Sequence, residues 1–195
     1  MMRIPHILEQ VVPRLHDAWK HTDAFLGEGF LASLPTDVWS RLYTGWLRAA
    51  GATIGKGSVV HRRVRVWHPR NLHIGEDVRI PASADMAAMG PIHLGHRVQV
   101  GANVSFITNH HAFDDLTLSR EEVLRGTQSP IVVEDDCWIM NGVMLVAGRR
   151  GIRVGARSWL AAGAVVTRDV PSEEVWGGVP ACRLRRLGER RGENA

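Results

Sequence analysis

Two adjacent histidines, His110 and His111, sit in the stretch ITNHHAFDDLTLSR, with Asp114 and Asp115 close behind them. Imidazole changes charge near neutrality, so a histidine held beside a reacting group can take up or deliver a proton at physiological pH. A carboxylate beside it can orient the ring. On the dipeptide alone, the plainer reading is a polar loop tip whose aspartates cap a turn. No G-x-S-x-G elbow points to a serine nucleophile. Cys137 and Cys182 lie far apart with no C-x-x-C pair, which suggests neither a disulfide framework nor a zinc knuckle and fits a reducing compartment.

The histidines gain meaning from the pattern they interrupt. Large apolar residues recur every six positions as Ile54, Val60, Val66; Ile74, Ile80, Met86; Leu94, Val100, Phe106; Val133, Ile139, Leu145; and Val154, Leu160, Val166. Four residues after the first two members of each triplet stand small or β-branched residues: Ser58, Val64, Val78, Ala84, Val98, Val104, Cys137, Val143, Ser158 and Ala164. Glycine follows the first member at Gly55, Gly75, Gly95 and Gly155, with Glu134 the exception. A period of six is neither helical nor that of one long strand. It describes a short strand and a tight turn, three of which close a triangular coil. The triplets are separated by 2, 2, 21 and 3 extra residues, always after the third member, so every insertion leaves from one edge of the prism. The longest of these excursions, 107–132, carries His110 and His111. Long loops in compact folds are commonly functional.

Flanking segments must cap the two open ends of such a column. Val38, Leu42, Tyr43, Trp46 and Leu47 recur at helical spacing, with Thr36 as N-cap and Gly51 as stop. Val12, Leu15 and Trp19 predict an earlier short helix, and PACRLRRLGERR predicts a short basic helix starting at Pro180. The division expected is a helical cap over 1–53, a repeat column of about five coils over 54–171 and a C-terminal cap and basic tail over 172–195.

The chain is 45% hydrophobic and 23% charged, ordinary for a globular protein. Its formal charge is +4, carried almost wholly by arginine, with five in the run from Arg183 to Arg191. That run lacks the aromatic interleaving or motif spacing of a nucleic-acid binder. No apolar stretch is long enough to span a bilayer and the N-terminus does not read as a signal peptide, so a cytoplasmic location is expected.

The hexads, with SPIVVEDDCWIMNGVMLVAG, GARSWLAAGAVVTRDVP and GGVPACRLRR, resemble the hexapeptide-repeat acyltransferases over about residues 50 to 187. GATIGKGSVV and HPRNLHIGEDVRI are most similar to sugar O-acetyltransferases of the colanic-acid type, with maltose acetyltransferases more distant. The resemblance implies a mainly β fold, a left-handed parallel β-helix, assembled as a homotrimer with acetyl-CoA or another acyl-CoA lying between neighbouring prisms as co-substrate. It implies no permanently bound cofactor and no metal. Aligning Phe113, Asp114 and Asp115 with the family's loop places the catalytic base at His111, with His110 in a variable position. Asp114 or Asp115 then orients the imidazole or binds a sugar hydroxyl, and Asp114 is the expected acceptor-binding residue. Direct transfer from thioester to hydroxyl follows, without an acyl-enzyme. Asn141, Ala162, Thr167, Arg168 and Arg185 fall on CoA-contact positions. Met140, Val179 and Cys182 depart from the family pattern near those contacts. A sugar or saccharide hydroxyl is the expected acceptor; an antibiotic or other secondary metabolite is the alternative. A zinc-dependent hydratase of the γ-carbonic-anhydrase type uses the same column, and His68 and His73 are the histidines that raise it.

Overall fold

The repeat becomes a column because each six-residue unit buries one large side chain and turns one corner. The computed structural model describes residues 36–111, 117 and 119–189 and is a three-faced parallel β-helix, the architecture expected. Face A stacks Thr53–Ile54, Leu72–Ile74, Ile92–Leu94, Ile131–Val133 and Ile152–Val154. Face B stacks Val59–Val60, Arg79–Ile80, Gln99–Val100, Trp138–Ile139, Trp159–Leu160 and Glu174–Gly177. Face C stacks Arg65–Trp67, Asp85–Ala87, Ser105–Ile107, Met144–Val146 and Val165–Val166. The register runs in phase, with Ile54, Ile74, Leu94, Val133 and Val154 paired in succession down face A. All fifteen large residues and all ten small ones are buried.

Each sequence signature has a steric cause. At the corner between faces A and B the coils lie almost on top of one another. A Cβ on Gly75 would come within 2.6 Å of the Gly95 backbone, so nothing larger fits. Ser58, Cys137 and Ser158 occupy the small site inside this corner. Each donates to a carbonyl one coil further on, of Gly75, Gly155 and Pro171 respectively. Burial pushes the Cys137 thiol up to about 11, so it stays a packing group and not a nucleophile.

The N-terminal end is closed by α1, Thr36–Ala49. Ser40, Tyr43, Thr44 and Leu47 form its buried face, at the i, i+3, i+4, i+7 spacing of one helical stripe. Their polar atoms answer the open edge of the first coil. Tyr43 Oη donates to the Val64 carbonyl at 2.9 Å, Thr44 Oγ1 accepts from Val60 N at 2.9 Å, and Arg48 Nε donates to the Ile54 carbonyl at 3.1 Å. Unpaired strand edges are an aggregation hazard, and this helix removes one. The earlier helix expected around Val12, Leu15 and Trp19 lies outside the described residues.

The C-terminal end differs from expectation in two ways. There is a partial sixth coil. Val170 bridges Val154, Trp176 pairs with Leu160, and Ala181 N donates to the Val165 carbonyl at 2.8 Å. The basic helix expected from Pro180 is instead a strand, Cys182–Arg186, which turns back antiparallel on Glu174–Gly177. The alternation of leucine and arginine suits either period. The unpaired edge of the sixth coil decides, because a strand satisfies its backbone groups and a helix would not.

Candidate active site

The long excursion is anchored before it leaves the column. Thr108 is buried; its Oγ1 donates to the Ala87 carbonyl at 2.6 Å and accepts from Gly90 N at 2.8 Å. Asn109–His110 then pairs antiparallel with Thr127–Gln128, which returns the chain to face A. Between them lies α2, Arg120–Arg125, started by a capping box in which Ser119 Oγ accepts from Glu122 N and Glu122 Oε2 accepts from Ser119 N.

His111 follows this two-stranded base directly and is half-buried at the edge between faces C and A. Its Nε2 lies 3.4 Å from Asn109 Nδ2. Base catalysis at Nε2 requires the neutral tautomer with the ring proton on Nδ1. The contact is long enough for a stronger donor to displace it. His110 is in the strand pair itself, opposite Thr127. Asp114 lies outside the described residues, as do Phe113 and Asp115.

Gly126 was not singled out by sequence, yet it borders the histidine. Its backbone has φ 59° and ψ −173°, a conformation essentially confined to glycine. A Cβ there would stand 2.6 Å from the His110 carbonyl oxygen and 3.2 Å from His111 Nδ1. The signal available was the glycine at the end of REEVLRG, immediately after the α2 pattern.

The five residues matched to CoA positions fall at three places. Thr167 and Arg168 are exposed on the C–A edge, the edge that carries His111 two coils earlier. Asn141 and Ala162 are exposed at the corner between faces B and C, on the opposite border of face C. The Asn141 side chain already accepts from Ala102 N at 2.9 Å, so part of its role is to tie one turn to the turn of the preceding coil. Arg185 is on the terminal strand, opposite Val175.

Arg168 differs from most arginines of the column. Arg65, Arg97, Arg153 and Arg157 each pair with a carboxylate. Arg168 pairs with none among the described residues; its guanidinium carbon lies over the Trp176 ring, 5.2 Å from the centroid. Trp138 packs on the outside of face B against Trp159, ring centroids 5.6 Å apart. His73 stacks on His93 at 4.6 Å on face A, away from His68 at the inserted corner. Among the described residues no three potential metal ligands group together. None of the helices there is long and apolar enough to cross a membrane.

Comparison with known proteins agrees with this architecture. Residues 130–168 match the family model described as the hexapeptide repeat of succinyl-transferase. The galactoside O-acetyltransferase of Escherichia coli K12 is 26% identical over 162 residues, 83% of this chain and 75% of that protein. The putative colanic acid biosynthesis acetyltransferase WcaF of the same organism is 25% identical over 71% of each chain. Among solved structures, a hexapeptide-repeat acetyltransferase of Vibrio cholerae, complexed with acetyl coenzyme A, superposes with a TM-score of 0.70 at 27% identity, covering 90% of this chain and 88% of that one. The six-residue repeat and the three-faced column it builds are thus features that the chain shares with proteins named as hexapeptide-repeat and sugar O-acetyltransferases.

Proposed function

We propose that the chain transfers an acetyl group from acetyl-CoA to a hydroxyl of a sugar or saccharide-containing acceptor, with His111 as general base. The observation that carries this reading is the placement of His111. It is a half-buried imidazole at the root of the long excursion, with Nε2 facing the Asn109 amide, on the edge that also presents Thr167 and Arg168. The acceptor hydroxyl displaces the Asn109 amide and hydrogen-bonds to Nε2. As its oxygen attacks the thioester carbonyl, the proton passes to Nε2. The tetrahedral intermediate then expels the thiolate, and the imidazolium returns the proton to sulfur. The products are the O-acetyl ester and free CoA, and the base ends as it began.

The donor reading draws on acetyl-CoA bound by the Vibrio cholerae relative, and the sugar acceptor on the name of the Escherichia coli relative. It fits the residues here: Arg168 offers a guanidinium that no neighbouring carboxylate neutralises, and arginine clamps phosphates with paired hydrogen bonds. Asp114, close behind the histidines in sequence, is the acceptor-binding residue we propose. Because Asn141 and Ala162 lie across face C from His111, a second copy bringing its own B–C corner against this edge would complete one site. Three copies around an axis would carry three.

The test is a thiol-release assay with acetyl-CoA and a panel of galactosides, maltose and other saccharides, with product esters read by mass. Saccharide-dependent thiol release supports the reading. Release that occurs only with amine acceptors would remove O-acetylation.

A further inference from the structure

The sixth coil does more than cap the column. Trp176 is its inward residue on face B, 7% exposed, and its indole Nε1 donates to Glu174 Oε2 at 2.8 Å. The other Glu174 oxygen pairs with Arg183 Nε at 3.3 Å. Both oxygens of the carboxylate that contacts the indole are therefore engaged, one by Trp176 and one by Arg183. What Trp176 presents to Arg168 is its ring face, with the guanidinium carbon 5.2 Å from the centroid. The Arg168 Nη2 also reaches Cys182 Sγ at 3.6 Å, a weak contact.

A cation held by an aromatic face differs from one held by a carboxylate. The aromatic ring attracts the charge through its quadrupole and leaves the net positive charge in place. It takes up the flat side of the guanidinium, while the N–H donors point outward in the plane of the group. A carboxylate would occupy those same donors and cancel the charge. The arginines at Arg97 and Arg157 show that alternative within the same column, each spent on a carboxylate of an adjacent coil.

We propose that Trp176 is a positioning residue for the donor's phosphate end: it holds the Arg168 guanidinium in place without neutralising it, so that its N–H edge can receive the 3′-phosphate of acetyl-CoA. The inference rests on the assignment of Arg168 to the donor made above. Glu174 belongs to the same device, because it fixes the indole through Nε1 and is itself fixed by Arg183. Trp176 touches no substrate; it acts through Arg168.

The experiment compares KM and kcat for acetyl-CoA and for 3′-dephospho-acetyl-CoA in the wild type and in Trp176→Leu, Trp176→Phe and Arg168→Ala, with thermal melts to verify folding. Trp176→Leu should raise KM for acetyl-CoA by about three- to tenfold, the scale of a lost cation–π contact, and the KM of the dephospho donor by less than about twofold. Its effect should fall on KM and not on kcat. Trp176→Phe, which keeps an aromatic face and fits the same core site, should retain most of the discrimination between donors. If Trp176→Leu raises both KM values equally, or if the Phe and Leu variants behave alike, Trp176 only packs and the positioning role is overturned. Arg168→Ala separates the two levels of the argument. Discrimination lost in Arg168→Ala but kept in Trp176→Leu overturns the positioning role alone. Discrimination kept in Arg168→Ala removes the phosphate clamp, and the role of Trp176 falls with it.

Discussion

His111 and His110 are neighbours in sequence with different surroundings. His110 belongs to the strand pair that roots the excursion, opposite Thr127, whereas His111 is the first residue beyond it with its ring against Asn109. Replacing the base should therefore affect chemistry without touching the column. His111→Ala is expected to lower kcat by about 10²-fold or more, the scale of a lost general base, with donor binding retained in a calorimetric titration. His110→Ala should cost much less. Normal turnover in the first variant and none in the second would shift the catalytic assignment by one residue. The break in the repeat draws attention to both histidines, and the likeness of Phe113, Asp114 and Asp115 to the family's loop singles out His111; the Asn109 contact, two residues before it, carries no pattern that points to it. The carboxylate side of the site is less legible, since Asp114 falls in a loop whose place the repeat does not determine.

At the scale of elements, the period of six was enough to assign the fifteen large and ten small inward residues of the first five coils; Leu72, Ile92, Ile131 and Ile152, buried two positions before a face A member of the repeat, fall outside it. The sixth coil is not legible in the repeat because only four positions separate Val166 from Val170, two fewer than the period, a deletion at the edge where the other coils carry insertions. The terminal strand escaped for another reason. Its side chains suit a helix, and only the unpaired edge of Glu174–Gly177 selects the strand. Gly126 joins α2 to the returning strand and abuts His111, so its backbone sets the ring's place. Gly126→Ala should leave the melting of the column nearly unchanged while lowering turnover on the order of 10- to 100-fold, the usual cost of a misplaced catalytic group. Equal losses in melting temperature and turnover would make the glycine a general stability residue instead. Face A offers a pH prediction. Burial, then the charge of His73, holds His93 below the ordinary histidine value. The unfolded chain therefore binds more protons than the folded one as pH falls through about 6.5, and stability should drop over that range as His93 is forced to charge. Thermal melts between about pH 7.5 and 5 should show this loss, and His93→Gln should flatten it. A variant with an unchanged pH slope would show that the stacked pair contributes nothing to it.

At the scale of the molecule, the proposed site residues of one chain fall on the two borders of face C. His111, Thr167 and Arg168 are on the C–A edge; Asn141 and Ala162 are at the B–C corner. Both ends of the column are closed within the chain, by α1 at the first coil and by Cys182–Arg186 at the sixth. We propose that copies associate sideways, through the faces and edges. A trimer of parallel columns is the closed arrangement that brings one chain's C–A edge to the next chain's B–C corner three times over. This leads to a prediction that does not depend on the acceptor. Take His111→Ala, which loses the base, and Ala162→Glu, which puts a carboxylate where the donor's arm should lie. Each alone should be nearly inactive. If the site joins edges from two chains, trimers assembled from an equal mixture of the two variants will contain sites built from an intact C–A edge and an intact B–C corner. With random assembly about one site in four is whole, so the mixture should recover about a quarter of wild-type activity after co-refolding or co-expression. If each chain carries a complete site, no mixture recovers anything, because every chain brings one damaged half of its own. Sedimentation of the mixed sample fixes the number of chains in the active species, so recovery without a trimer would keep the shared site and remove the threefold arrangement.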